Sequence, residues 1–183
     1  VYFDTYKETE MALKPSIIAP GNKTVTDGCI LGNIVFSKNT VIVSGPSTEV
    51  NKVTSVTAET SISAPLTATT TVTPELKLVG AAADELSNVS ILEGDTAITM
   101  TMPVLKLVEL PTTVTFRNAP ANYLDGNMNF SVSPSRISAA VPVEKVDQIT
   151  SLSVGTIDFS ELDAGLNTLN FKASDITDFM ITA

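Results

Sequence analysis

The chain holds 183 residues, with 11 basic against 20 acidic side chains, a net charge of −9, one cysteine, and neither histidine nor tryptophan. Without histidine there is no Ser-His-Asp or Cys-His arrangement, no His-containing zinc site and no HExxH helix. The negative balance argues against nucleic acid, because phosphate binding needs clustered cations and the two arginines, Arg117 and Arg136, stand apart with no basic run around either. Threonine (25), valine (19) and isoleucine (13) make up close to a third of the chain, an enrichment that suits pleated, half-buried strands.

Taken in chain order, Met11–Ile18 reads as a strand that runs into the turn Ala19-Pro20-Gly21-Asn22. Cys29, beside Ile30 and Leu31, reads as a buried, inert thiol; with no second cysteine it forms no internal disulfide. Ile34–Phe36 and Val41–Val43 are strand-like and flank the turn Ser37-Lys38-Asn39. Pro46–Val53 has Val50 and Val53 on one helical face and proline at the start, where its missing N–H costs nothing. Residues 64–74 (APLTATTTVTP) are threonine-rich and bounded by proline, the pattern of an exposed edge strand. Ala81–Leu86 is a third short helix candidate.

Ala97–Met102 alternates apolar with polar at period two, as a half-exposed strand does. Thr112–Phe116 and Phe130–Val132 read the same way, and Pro142–Ile149 repeats the short-helix pattern with Val146 and Ile149 as its inward face. None of these helices is long enough to stand without tertiary packing. Asp125–Asn129 places oxygen donors at alternate positions, but Phe130 and Arg136 occupy the sixth and twelfth places where a calcium loop wants glycine and glutamate, so the segment reads as a turn. Asp158, Glu161 and Asp163 form an acidic cluster that reads as a solvated loop. No catalytic, cofactor-binding or metal-ligating residue is assigned, no cofactor is expected, and the chain is expected not to be an enzyme.

Phe36–Val56 laid over Val132–Leu152 gives a constant offset of 96, with identities at Ser37/Ser133, Pro46/Pro142, Val50/Val146, Thr54/Thr150 and Ser55/Ser151. Ala19–Asn22 matches Ala119–Asn122 at an offset of 100. The matched positions are the inward ones of a strand, turn, strand and short helix, which argues for an internal repeat. A boundary before Pro103 then divides the chain into residues 1–102 and 103–183.

The strand, turn and strand closing on Gly45-Pro46, followed by Ser47–Val53 at apolar spacing, resembles the YbbR-like family, as does the second copy at Ser133–Ile137, Val141-Pro142, Asp147–Ile149 and Ile157–Ser160. Val141 departs from the family's glycine before proline, and Thr60–Ser63 departs from its Asp-apolar-Ser step. The resemblance implies a mainly β fold of two tandem β-rich repeats, each with one short helix, similar to the C-terminal domain of L25-type ribosomal proteins. It also implies an extracytoplasmic, non-catalytic module of a membrane-anchored protein in a Gram-positive bacterium, acting by protein–protein contact as regulator of a membrane diadenylate cyclase, the source of cyclic di-AMP.

The alternative is a structural spacer or adhesin module of a bacterial cell-surface protein. The expected partner is that cyclase or a neighbouring repeat, with no nucleic acid, and with the membrane reached only through an anchor outside this chain. A chain that opens on Val1 reads as a processed or excised piece of something longer. The uncharged stretch 66–73, with Thr69 and Thr71, is the candidate strand-accepting edge, and the acidic loop 158–163 is its companion surface.

Overall fold

The computed structural model describes residues 4–80, 86–92, 97–124, 129–172 and 180–181. Its contacts divide the chain into two compact units, Val1–Val104 and Leu105–Ala183. Strands dominate both, as the β-branched composition requires.

The first unit is organised by one long strand, β1 (Tyr6–Ile18), which changes partner midway. Its first half runs antiparallel to β4 (Thr40–Pro46), with Tyr6 opposite Pro46 and Met11 opposite Val41. Its second half runs parallel to β5 (Val53–Ser61), with Leu13 opposite Val56. At the switch, Leu13 N–H donates to Asn39 O at 2.9 Å, so no backbone donor is lost where the partner changes. Two outer strands complete the sheet: β7 (Glu75–Gly80) beside β5 and β8 (Ser90–Ile91) beside β4. A second, three-stranded sheet orders β3 (Val35–Phe36), β9 (Met100–Met102) and β6 (Thr70–Val72). β2 (Cys29–Leu31) follows the turn at Gly28, whose φ of 78° favours glycine.

The core of this unit collects Leu13, Val41, Val43, Val50, Val53 and Val56 with Leu86, Val89 and Ile98. Period-two alternation over 97–102 places Ile98, Met100 and Met102 inside and Ala97 and Thr99 outside. The turn at 19–22 is a single 3-10 turn, Pro20–Asn22, with Gly21 at φ 61°.

The second unit repeats the strand plan. β10 (Val104–Arg117) also changes partner midway: its first half runs antiparallel to β11 (Arg136–Pro142), its second half parallel to β12 (Leu152–Asp158). Thr112 N–H donates to Ser135 O at 2.9 Å, the counterpart of the bond at Leu13. The sheet order is β12-β10-β11-β13, with β13 at Met180–Ile181. Pro46 ends β4 and Pro142 ends β11, each directly before the short helix. Leu110 lies opposite Ile137 as Met11 lies opposite Val41, and Thr112 opposite Leu152 as Leu13 opposite Val56. The core here gathers Leu110, Ala139, Val141 and Leu152, with Val146 and Ile149 half-buried against them.

Several expectations are corrected. The helix expected over 46–53 is one turn, α1 (Ser47–Val50), and Val53 opens β5 instead. A single turn cannot propagate against the β-branched run Val53–Thr54. The counterpart at Val143–Gln148 is a 3-10 helix that leaves Ile149 extended. Both prolines precede the first helical residue, with ψ of 135° at Pro46 and 131° at Pro142, instead of sitting inside it. Val50 and Val53 are buried, but Val146 and Ile149 are half-buried. Phe130–Val132 is not a strand: Pro134 has no N–H for a ladder, and β11 starts at Arg136. Cys29 is half-buried, since the whole of the three-residue β2 is. The helix candidate 81–86 falls outside the described residues except for Leu86, which is buried; Asp125–Met128 also lies outside them.

The Gly45-Pro46 step has a packing cause. A Cβ on Gly45 would lie 2.6 Å from Asn88 O, and Asn88 is held there by Glu49, which accepts from its backbone N–H at 3.0 Å and its side-chain amide at 2.7 Å. Val141 stands at the matching position of the second unit, buried in its core, where Lys145 replaces Glu49.

Candidate interaction edges

Three features can meet another molecule, and each belongs to one unit. The first is the threonine-rich stretch. β6 is the outer strand of its sheet, with Thr71 opposite Thr101 and their hydroxyls 2.9 Å apart. The uncharged edge is shorter than the sequence suggests, because Leu66 forms a parallel bridge to Val25 and exchanges bonds with Thr24 and Thr26. Thr69 Oγ1 is also engaged, accepting from Val104 N–H at 3.4 Å. What stays open is three residues long, and short edge strands are one way proteins discourage pairing.

The second feature is the acidic loop. Asp158 is half-buried and its oxygens are used internally: Oδ1 accepts from Ser160 Oγ at 2.6 Å and Ser160 N–H at 2.9 Å, and Asn118 donates at 3.1 and 3.0 Å. Those bonds, led by the Ser160 hydroxyl, hold its carboxyl below the ordinary carboxylate range. Glu161 and Asp163 are exposed, and Asp163 N–H donates to Asn167 Oδ1 at 3.1 Å. Among the described residues no three acidic or cysteine side chains converge as a metal site would need.

The third feature escaped sequence reasoning. In the second unit Phe116, Phe130, Phe159 and Tyr123 form a chain of edge-to-face rings, with centroids 5.3, 5.8 and 5.5 Å apart. They line an open groove of about 1500 Å³ together with Val154, Ile157 and the segment 162–172. Leu166 is 98 % exposed, Phe130 57 % and Leu169 48 %, so the groove presents apolar side chains, interleaved with polar ones such as Asn129, Asn167 and Asn170. The available signal was four aromatics between 116 and 159 in a chain with ten, at spacings that match no single strand or helix.

The outer edges of the two main sheets differ. In the first unit β7 covers β5, with Val56 opposite Leu78, Thr57 opposite Lys77 and Ala58 opposite Leu76. Lys77 closes this edge with ion pairs to Glu59 and Glu75, and both, Glu59 first, push its ammonium pKa up. In the second unit β12, the counterpart of β5, is itself the outer strand among the described residues.

Together these describe a β-rich protein whose exposed features are sheet edges and a groove lined by aromatic and polar side chains. The family model of the YbbR-like protein matches residues 19–102, so this segment of the chain is similar to that family. The crystal structure of a YbbR-like protein from Streptococcus pneumoniae TIGR4 is similar at 15 % identity with a TM-score of 0.41, over 90 % of this chain and 81 % of that one. No curated protein matches the chain. No helix among the described residues is long and apolar enough to cross a membrane, which leaves membrane-spanning strands aside.

Proposed function

We propose that this chain is a non-catalytic extracytoplasmic module of a membrane-anchored protein, acting by protein–protein contact, with a membrane diadenylate cyclase as the partner it regulates. The observation that carries the reading is the YbbR-like match over residues 19–102. The exposed features support it, because sheet edges and a groove lined by aromatic and polar side chains recognise strands and side chains of other proteins. In this reading residues 103–183 form a second YbbR-like repeat, supported by the partner switch that β1 and β10 share. Regulation then works by geometry, with the β units orienting or clustering the membrane segment of the parent protein.

The test deletes both units from the full-length parent and follows cyclase co-purification and cyclic di-AMP level. Loss of co-purification together with a changed level is the expected result. If both stay as in wild type, the regulator reading fails and a second one replaces it: a surface spacer, favoured by the recurrence of one strand plan in tandem. A finer probe is Thr71→Lys, which puts charge on β6 without touching the bond that Thr69 makes to Val104.

A further inference from the structure

The two units share more than the partner switch. β8 pairs β4 with Val43 opposite Ile91 and Ser44 opposite Ser90; β13 pairs β11 with Ala139 opposite Ile181 and Ala140 opposite Met180. Thus β4, β5 and β8 of the first unit recur as β11, β12 and β13 of the second. One strand of the first unit's main sheet has no described counterpart: β7, which lies in sequence between β5 and β8 and covers the outer edge of β5.

The corresponding stretch of the second unit, between β12 and β13, contains Thr168-Leu169-Asn170-Phe171-Lys172. Its spacing is right. Positions in β4 and β5 recur 96 residues later (Val43 to Ala139), and those in β8 recur 90 later (Ile91 to Ile181). A strand between them falls near the middle, and 93 places Leu169 at Leu76 and Phe171 at Leu78. Its pattern is also right, with apolar residues alternating with Asn170 and Lys172 as in Glu75–Val79. In the structure this segment has no strand pairing and is exposed, and it touches β12 out of that register. A Cβ on Gly155 would collide with the Phe171 ring, three residues along from Leu152, so closure shifts the segment along β12. Leu169 and Phe171 remain 48 % and 37 % exposed and line the groove with the buried Val154.

We propose that residues 168–172 are a strap that closes the outer edge of β12 as an antiparallel strand, in the register Leu152–Phe171, Ser153–Asn170 and Val154–Leu169, and so occupies an edge that would otherwise accept a strand from another protein. Closure pairs backbone groups of β12 that face outward and moves two apolar side chains toward the core. The reason the strap is not zipped shut lies in the side chains. Glu59, Lys77 and Glu75, which close the first edge, are replaced by Gly155, Asn170 and Thr168, so no ion pair holds the second one. Glycine in the accepting strand weakens pairing further.

The test uses the whole chain in a Cys29→Ala background. Ser153→Cys with Asn170→Cys places two thiols directly opposite in the closed register, and Ser153→Cys with Thr168→Cys places them two residues out. The first pair is expected to oxidise to an intramolecular disulfide at least about 10-fold faster than the second, because a disulfide tolerates little departure in Cβ separation. In the unsubstituted chain, alternate amides of 168–172 are expected to exchange on the order of 10-fold or more slower than free peptide, as ladder hydrogen bonds require. Equal oxidation rates, a disulfide found in dimers alone, or unprotected amides throughout 168–172 would each overturn the closure. If the cysteine variants fail to fold, amide exchange in the unsubstituted chain decides by itself.

Discussion

The outer edges of β5 and β12 sit at the same place in one strand plan and are finished differently. β5 is covered by β7 and sealed by Lys77 between Glu59 and Glu75, whereas β12 has no strand on that edge among the described residues and faces a groove lined by aromatic and polar side chains. The cores differ in the same direction. Leu13 and Val43 of the first unit give way to Thr112 and Ala139, and the buried Val50 to the half-buried Val146. Strand order survives in the second unit with less apolar filling, because ladder pairing depends on backbone groups while stability depends on what the side chains bury. Register survives up to Ser153, after which β12 carries an irregularity against β10 that β5 lacks against β1. The first unit is built to persist and the second to accommodate.

The largest test of that contrast is at the partner switch. Leu13→Ala removes a buried side chain and is expected to cost about 2–5 kcal/mol. Thr112→Ala gives up a hydroxyl bond to Pro134 O at 2.6 Å and is expected to cost about 1 kcal/mol. Hydrogen exchange read separately on β4 and β11 peptides assigns each loss to its unit. Equal losses would show that the two cores bear equal weight. Next comes the short helix: Val50→Ala is expected to cost about 1–3 kcal/mol, and Val146→Ala at most half of that, in line with its partial exposure. Smaller again is the turn holding Asn88. Glu49→Ala removes two charge-assisted bonds and is expected to cost about 1 kcal/mol. Lys145→Ala at the matching place is expected to leave the second unit unchanged within error, since Lys145 is exposed.

Much of the strand content was legible because its signals are local. The alternation at 97–102, the Pro-Gly-Asn turn at 20–22 and the proline-bounded threonines at 64–74 each act within a few residues; the turn appears as read, while the two strands are shorter than read, Met100–Met102 and Thr70–Val72. The spacing of 96 was readable because Pro46 and Pro142 end equivalent strands. Other features depend on partners far away in sequence. The beginning of β1 was hidden by Lys7, Glu8 and Glu10, which leave no apolar residue between Tyr6 and Met11, whereas β7 carries the period-two signal itself in Glu75-Leu76-Lys77-Leu78. The short apolar spacing at 50–53 imitates a helix although Val53 belongs to a strand, an ambiguity that periodicity alone cannot resolve. The aromatic chain joins residues from four segments, so no window of sequence contains it.

The smallest expected effect compares two carboxylates that each fix one end of a short turn. Asp4 accepts from Thr48 Oγ1 at 2.5 Å, Thr48 N–H at 3.0 Å and Ser47 Oγ at 2.8 Å, standing in as the cap that Pro46 cannot supply to α1. These bonds, the Thr48 hydroxyl first, lower its pKa from 3.8 to about 2. Asp158 is lowered as well, chiefly by Ser160. For a group depressed in the folded state, the stabilisation is complete above the unfolded value and is lost as pH falls through the folded one. The docking of α1 should therefore hold at pH 5, weaken below pH 3.8 and be lost as pH approaches about 2. Asp4→Asn should remove that dependence while leaving the acid response of the 158–160 turn in place, and Asp158→Asn should do the converse. Carboxyl and amide chemical shifts followed from pH 5 downward separate the two turns. If Asp4→Asn left the pH response of the Ser47 and Thr48 amides as in wild type, Asp4 would not be the cap of α1, and the first unit would owe that turn to Val50 and to the bonds of Glu49 with Asn88.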